Sequence, residues 1–310
     1  LSVDKQFEEI DMNVILGGGI AGLIWAKYHP DHFILTDQVG GQMISYFDLG
    51  PRYLHNKSKF VESFLKDLEV PLKPSIIKVG YIDDSGWIDN PDAHFREKYF
   101  MKSRGQNNLE GFDPTVLNTN VKEFEVCLVD FKELIAKLFD SLEKRIYMGG
   151  VTHINLEKQI VSTDSNMVLK YSKLVSTIPL NIFARVAGLS IPLQSFDMAY
   201  CLVSNDYFDL KGFDYVYDAR IDTLQHRMTK CKQGVVCDLV SSKVESFKNY
   251  TDPKFFTIPL DQAVRLVKNN QIISLEKDYE LKGHNVKFVG RYGAWQRRWK
   301  TETVIEEAQV

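Results

Sequence analysis

The chain has 310 residues, 44% of them hydrophobic, which is enough for a large core and, by length alone, for roughly two domains. Lys and Arg total 38 against 41 Asp and Glu, so the overall field draws the chain neither to nucleic acid nor to an anionic membrane and leaves room only for a local basic patch. The four cysteines (Cys127, Cys201, Cys231, Cys237) form no CxxC pair, and so few in a chain of this size fit a reduced, cytoplasmic protein better than a disulfide-stapled one.

In chain order, residues 1–11 ("LSVDKQFEEID") are set apart as a tag or a native lead-in. "NVIL" then reads as a short apolar strand, and "IAGLIWAKYH" follows with helical spacing. Between them Gly17, Gly19 and Gly22 satisfy G-x-G-x-x-G. The first permits a tight turn, the second lets the backbone approach a pyrophosphate, and the third lets helix and strand pack closely. Ile20 and Ala21 belong to the same turn, where the N–H groups of a helix start and the helix dipole favour a diphosphate. "HFILTD" is a second strand ending in Asp37, placed to accept hydrogen bonds from the ribose hydroxyls of an adenosine. A glycine-rich turn in an ordinary βα unit would explain the glycines alone. Strand, loop, helix, strand and acid in register point to a bound dinucleotide. The apolar stretch from Val14 to Ala26 contains four glycines and is too short to cross a bilayer. It also lacks the flanks of a signal peptide.

Further along, residues 58–69 and 130–144 carry apolar residues at i, i+3, i+4 and predict amphipathic helices. "IIKVGYIDDSGWI" predicts two strands joined around Asp83 to Gly86, and residues 101–120 are polar and turn-rich, which suits a loop near a substrate entrance. "IYMGGVTHINLEKQIVSTDSNMVLKYSKLVSTIPL" is a run of short alternating strands, and "AYCLVSNDYF", "FDYVYDAR" and "QGVVCDLVSS" alternate like strands of an antiparallel sheet.

Four of these segments resemble the FAD-dependent amine oxidase and UDP-galactopyranose mutase-like superfamily. They are the glycine loop, "DQVGGQMISYFDLGPRYLH", the strand "VSTIPL" and the C-terminal "VKFVGRYGAWQRRWKTETVIEEA". The resemblance implies an α/β fold: a Rossmann-like, glutathione-reductase-like FAD-binding domain (12–60, 147–180, 282–310) and an inserted α+β substrate domain (61–146, 181–281) whose antiparallel sheet roofs the flavin. FAD would be held non-covalently, because no cysteine lies in the C-terminal segment where this superfamily makes a thioether. Gly40 and Gly41 would pass close to the diphosphate. Gln38 and Gln42 stand where the family has arginines, so anchoring there falls to backbone N–H groups and neutral amides. Val151 would meet the adenine side through its backbone. Gly290 would close a strand, Arg291 would point toward the flavin, and a helix starting near Thr301 and Thr303 would aim its N-terminus at the pyrimidine ring, where negative charge gathers on reduction.

A flavin supplies its own electrophile, so the protein's task is to place a substrate carbon in a dry pocket. His55 lies in the flavin-flanking segment; the alternative is a packed core histidine. His226 and Arg227 resemble a strand that lays a basic residue near the flavin in mutase-like members, against a solvated strand edge. Tyr215 and Tyr217 would wall the pocket or serve as core aromatics. The run Arg291, Tyr292, Trp295, Arg297, Arg298, Trp299, Lys300 interleaves cations with aromatics, as a nucleotide or nucleic-acid substrate would require. An exposed cationic loop is the plainer reading. No metal-ligand spacing stands out.

Three functions follow from the resemblance. The first is oxidation of a C–N bond in an amine. Here the run "GRYGAWQRRWKTETV" is similar to small bacteriophage-encoded FAD enzymes of thymidine hypermodification, which implies an amino-acid-modified thymine nucleotide in DNA and a host-cytoplasm location. The second is a redox-neutral mutase using reduced FAD. The third is a non-catalytic binder like the GDP-dissociation inhibitors.

Overall fold

The computed structural model describes residues 11–41, 53–55, 57–104, 109, 121–203, 208–223, 225–231, 234–240, 267–272, 274–275 and 277–310. Gln42, residues 48–52 and most of 101–120 lie outside the described residues. The chain divides into two compact units, the first built from residues 1–73, 127–194 and 272–310 and the second from 74–126 and 195–271.

Unit 1 is the mixed α/β unit that the glycine pattern leads one to expect. β1 (Asp11–Gly19), α1 (Ile20–Tyr28) and β2 (His32–Gly40) open it, and the two strands pair in parallel. A short β3 (Tyr53–Leu54) pairs antiparallel with Cys127 and Leu128, and α2 (Lys59–Asp67) follows. After the second unit's first segment come α4 (Phe131–Leu142), β7 (Ile146–Met148), β8 (Val151–Asn155), β9 (Ile160–Thr163), β10 (Val168–Ser176) and α5 (Leu180–Val186). β16 (Val286–Phe288) and α6 (Thr301–Ala308) complete it. The sheet runs β7-β2-β1-β10-β9-β8, with β16 also on β10. Pairs among β7, β2, β1, β10 and β16 are parallel, whereas β8, β9 and the start of β10 form an antiparallel meander.

Both strands at the centre are buried on their two faces, so their residues read as continuous apolar runs rather than alternating ones. Ile15, Leu16, Ile34 and Leu35 are at most 1% exposed. α1, α2, α4 and α6 contribute Leu23, Phe64, Leu138 and Ile305 to one core with the sheet. The two amphipathic helices expected in the inserted domain thus pack in unit 1, because their apolar stripes join this core. The second strand also runs past Asp37 to Gly40.

Unit 2 contains β4 (Lys73–Asp83), β5 (Gly86–Ile88), α3 (Ala93–Arg104), β6 (Glu123–Leu128), β11 (Ser195–Val203), β12 (Tyr215–Asp218), β13 (Gln225–Cys231) and β14 (Gly234–Val240); β15 (Val267–Ile272) leads the chain back to unit 1. Its sheet runs β11-β14-β13-β12-β4-β6; the pairs β11–β14, β14–β13 and β13–β12 are antiparallel and β12 meets β4 in parallel. β4 and β5 form the hairpin foreseen around Asp83 to Gly86. One core of Ile82, Val216, Met228, Val235, Cys237 and Leu239 and a second of Val79, Tyr81, Phe95, Tyr99 and Tyr215 stabilise it. Among the described residues no helix is long and apolar enough to cross a membrane.

Candidate functional site: a glycine-lined edge of unit 1

Three glycine segments far apart in sequence converge at the carboxyl end of the unit 1 sheet. Gly18 and Gly19 pair in register with Val39 and Gly40, so β2 carries the second glycine pair alongside the first. A Cβ added to Gly41 would lie 3.1 Å from the Gly19 Cα, and one added to Gly290 would lie 2.8 Å from the Ala21 Cβ. At Gly22 the added Cβ would meet the Gly17 carbonyl oxygen at 2.0 Å, which is the close strand–helix approach that the third glycine exists to permit. At Gly19 the outcome is opposite: among the described residues nothing lies within 4 Å of the added Cβ. The loop is tight on its inner side and open on its outer side.

Helix starts divide in the same way. The Ser58 hydroxyl accepts from the Val61 N–H at the start of α2, Asp92 from Phe95 in α3, and Asp130 from Lys132 and Glu133 in α4. α1, α5 and α6, by contrast, begin at Gly19, Pro179 and Lys300 with no side-chain cap; the first N–H of α5 donates to the Tyr292 carbonyl, and α1 has no acid in its first turn. N–H groups left over at a helix start require an acceptor, and together with the helix dipole they form an anion site. Ile20 and Ala21 make up the first turn of α1.

At the far end of this edge Asp37 and Gln38 are exposed. The turn that carries them is held from beneath: the buried Thr36 hydroxyl donates to the Gln38 carbonyl at 2.8 Å and accepts from the Gln38 N–H at 3.2 Å. The Gly149 N–H donates to the Thr36 carbonyl at 2.7 Å, which brings the segment entering β8, and so Val151, to the end of β2. His55, Arg291, Thr301 and Thr303 gather around the start of α6. The His55 N–H donates to the buried Glu302 carboxylate at 3.2 Å. Its imidazole has a solvent-exposed edge, yet packing and the charges of Lys300 and Arg291 push it down to about 4, so the ring is neutral at physiological pH.

The cationic, aromatic run folds differently from a base-stacking surface. Trp295 is 2% exposed, takes a positive φ of 52°, and donates its indole N–H to the Gln194 carbonyl at 3.2 Å. Trp299 is buried as well. Arg297 donates from Nε to the Ile272 carbonyl at 3.0 Å and from its backbone to the Ser274 hydroxyl at 3.0 Å. Arg298 pairs with Asp278. Tyr292 is half-buried, and its carbonyl accepts from the Leu180 N–H that opens α5. The apolar faces of the two tryptophans belong to the unit 1 core, which is why Trp295 is not offered to a ligand.

His226, Arg227, Tyr215 and Tyr217 come together in unit 2. β13 lies between β12 and β14 and is not the solvated edge considered above. The pairing register slips between Gln225 and Arg227, leaving His226 at the bulge, 2% exposed, with its ring edge-on to Tyr99 at 5.7 Å. Burial and the charges of Arg227 and Lys102 hold its imidazole well below the usual histidine range. Arg227 pairs with the buried Asp238 and lies over Tyr215 at 5.7 Å. Tyr215 and Tyr217 meet edge-on with ring centroids 4.9 Å apart, Tyr217 stacks on Tyr81 at 5.6 Å, and desolvation raises the Tyr217 hydroxyl. Tyr215 is buried in the second core of unit 2, and Tyr217, half-buried, packs against it. Sequence reading missed Asp218, fully buried on β12, which accepts from Arg220, Gln225 and Lys102 and fixes the turn before His226. Among the described residues no group of three His, Cys, Asp or Glu could hold a metal ion.

No protein-family model matches the chain, and no curated protein matches it. Solved structures do match over nearly its whole length. Reduced UDP-galactopyranose mutase is 11% identical, with 97% of this chain and 92% of that one covered and a TM-score of 0.62. A CLA-producing fatty acid isomerase from P. acnes is 12% identical over 98% of each chain, TM-score 0.61. Cyclohexylamine oxidase from Brevibacterium oxydans is 11% identical over 97% of each chain, TM-score 0.59. At such identities the likeness is one of fold alone, and that fold is shared by a mutase, an isomerase and an oxidase.

Proposed function

We propose that this chain is an FAD-dependent oxidoreductase that oxidises the C–N bond of an amine. The observation that carries the reading is the convergence of Gly19, Gly41 and Gly290 on the uncapped start of α1, with open space before Gly19. Those residues fit an extended dinucleotide: the N–H groups at Gly19 to Ala21 would hold the diphosphate, Asp37 the adenosine ribose, and the start of α6 the flavin end. A flavin held there would supply a hydride acceptor for the carbon beside a neutral amine. Arg291 and the uncapped N–H groups at Thr301 would stabilise negative charge there, and neutral His55 can accept a proton or a hydrogen bond at its ring nitrogens. Amine chemistry is supported by the amine oxidase among the similar structures.

A redox-neutral, mutase-like reaction on reduced FAD is the second reading, favoured by similar structures that are a mutase and an isomerase. Within the first reading the finer proposal is an amine on a nucleotide scaffold, of the glycinylthymidine type. Its support is the resemblance carried by "GRYGAWQRRWKTETV" and the exposure of Arg298 and Lys300. Anaerobic stopped-flow mixing with amines, glycinylthymidine-bearing DNA and UDP-galactose separates these. Bleaching of the oxidised flavin by an amine is the expected result. Binding of UDP-galactose only to dithionite-reduced protein would replace it with the mutase reading, and a colourless protein that binds no flavin would leave a non-catalytic binder.

A further inference from the structure

Thr177 lies one residue beyond β10, in the segment "VSTIPL", where the motif assigns it no role of its own. Its backbone N–H donates to the Leu16 carbonyl at 2.9 Å, continuing the β1–β10 ladder by one rung. Its hydroxyl does something a strand residue need not do. The Oγ1 lies 2.8 Å from the Leu16 carbonyl oxygen and 3.1 Å from that of Gly17, so one proton serves the last two carbonyls before the glycine turn. The same oxygen fills the hollow between the first and third glycines. A Cβ added to Gly17 would meet it at 2.7 Å, and one added to Gly22 would meet it at 3.1 Å.

The Gly17 carbonyl therefore points inward, between the Thr177 hydroxyl and the first turns of α1. Across a trans peptide the following N–H points the other way. Pinning that carbonyl accordingly turns the Gly18 N–H away from β10 and toward β2, where Gly18 and Gly19 pair with Val39 and Gly40. Were this peptide to rotate, a carbonyl would replace that N–H on the β2 side and disturb the register that holds the loop leading into the first turn of α1. Gly17 sits at φ 101°, in a region where glycine has few steric restraints of its own, so the restraint must come from a neighbour.

We infer that the Thr177 hydroxyl is a positioning group for the dinucleotide diphosphate: it fixes the orientation of the Gly17–Gly18 peptide so that the loop presents donors to the anion. The inference rests on the FAD reading above. Thr177→Val keeps shape and the backbone bond but removes the donor; Thr177→Ser keeps the donor. Titration of flavin-stripped protein with FAD, followed by flavin fluorescence, should show the dissociation constant of T177V raised about tenfold and that of T177S near wild type. Circular dichroism of the stripped proteins should be unchanged, and thermal melts of T177V and T177S should lie close together. Equal FAD affinity in T177V and wild type overturns the inference, as does an equal loss in T177S. If wild type itself binds no FAD, the cofactor reading falls, and hydrogen exchange in the ligand-free proteins judges the loop separately. Faster exchange at residues 17–20 in T177V then keeps the pinned peptide, and identical exchange removes it.

Discussion

The loop from Gly17 to Gly19 and the run from Arg291 to Lys300 both feed helices that start without a side-chain cap, yet they dispose of bulk and polarity in opposite ways. The first has almost no side chains, turns its inner carbonyls onto Thr177, and leaves space in front of Gly19. The second is rich in rings and cations and spends them on the protein itself. Trp295 and Trp299 enter the core, Arg297 ties down the segment at Ile272 and Ser274, and Arg298 is neutralised by Asp278. The loop proposed to hold the dinucleotide is thus marked by what it lacks, whereas Trp295, Trp299 and Arg297 in the cationic run serve the packing of unit 1.

Trp295→Ala should show the largest effect that follows from this contrast. Removing a buried indole costs about 3–5 kcal/mol, seen as a lower urea midpoint. A substrate-stacking role would instead leave stability alone and raise KM. Within the glycine loop, Gly22→Val should cost about 3 kcal/mol, because its side chain meets the Gly17 carbonyl and not a yielding side chain. Gly19→Val should leave the melting curve unchanged.

Unit 2 supplies a pH-dependent counterpart. The imidazole of His226 is buried against Tyr99 from α3, beside Arg227 on its own strand and within the field of Lys102. Its folded pKa lies below the unfolded value of about 6.5, so its share of stability is intact above that pH and is lost as pH falls, by at most about 1.4 kcal/mol per unit. Denaturation of His226→Gln between pH 7 and 5 should show a shallower acid loss than wild type. The same slope in both proteins would mean that His226 stays neutral in the unfolded chain or charges readily in the folded one. At the small end, Arg298→Ala removes a pair in which the Arg298 side chain is 62% exposed and should change stability by less than about 1 kcal/mol.

These contrasts explain how far the sequence could be read. Gly17, Gly19 and Gly22 between two apolar runs specify a local unit whose geometry follows from steric rules within some twenty residues. That β8, β9 and β10 form a meander was likewise visible as short alternating runs. What a side chain meets across the fold was not visible. Alternation places Tyr215 and Tyr217 on one face of β12, but only the packing of α3 makes that face a core. Cationic character in Arg297 and Arg298 says nothing of the Ile272 carbonyl or Asp278 that absorb it. Thr177 lies within "VSTIPL", yet that segment does not disclose its role, which depends on β10 lying beside β1.

The central claim is that the glycine edge of unit 1 holds FAD, and equilibrium binding of FAD to wild type and Gly19→Val tests it most directly. Both proteins should melt alike, since the new side chain meets none of the described residues, while wild type takes up one FAD that acid precipitation releases to the supernatant and the variant stays colourless. Equal FAD binding by a folded Gly19→Val protein would place the cofactor elsewhere and contradict the account.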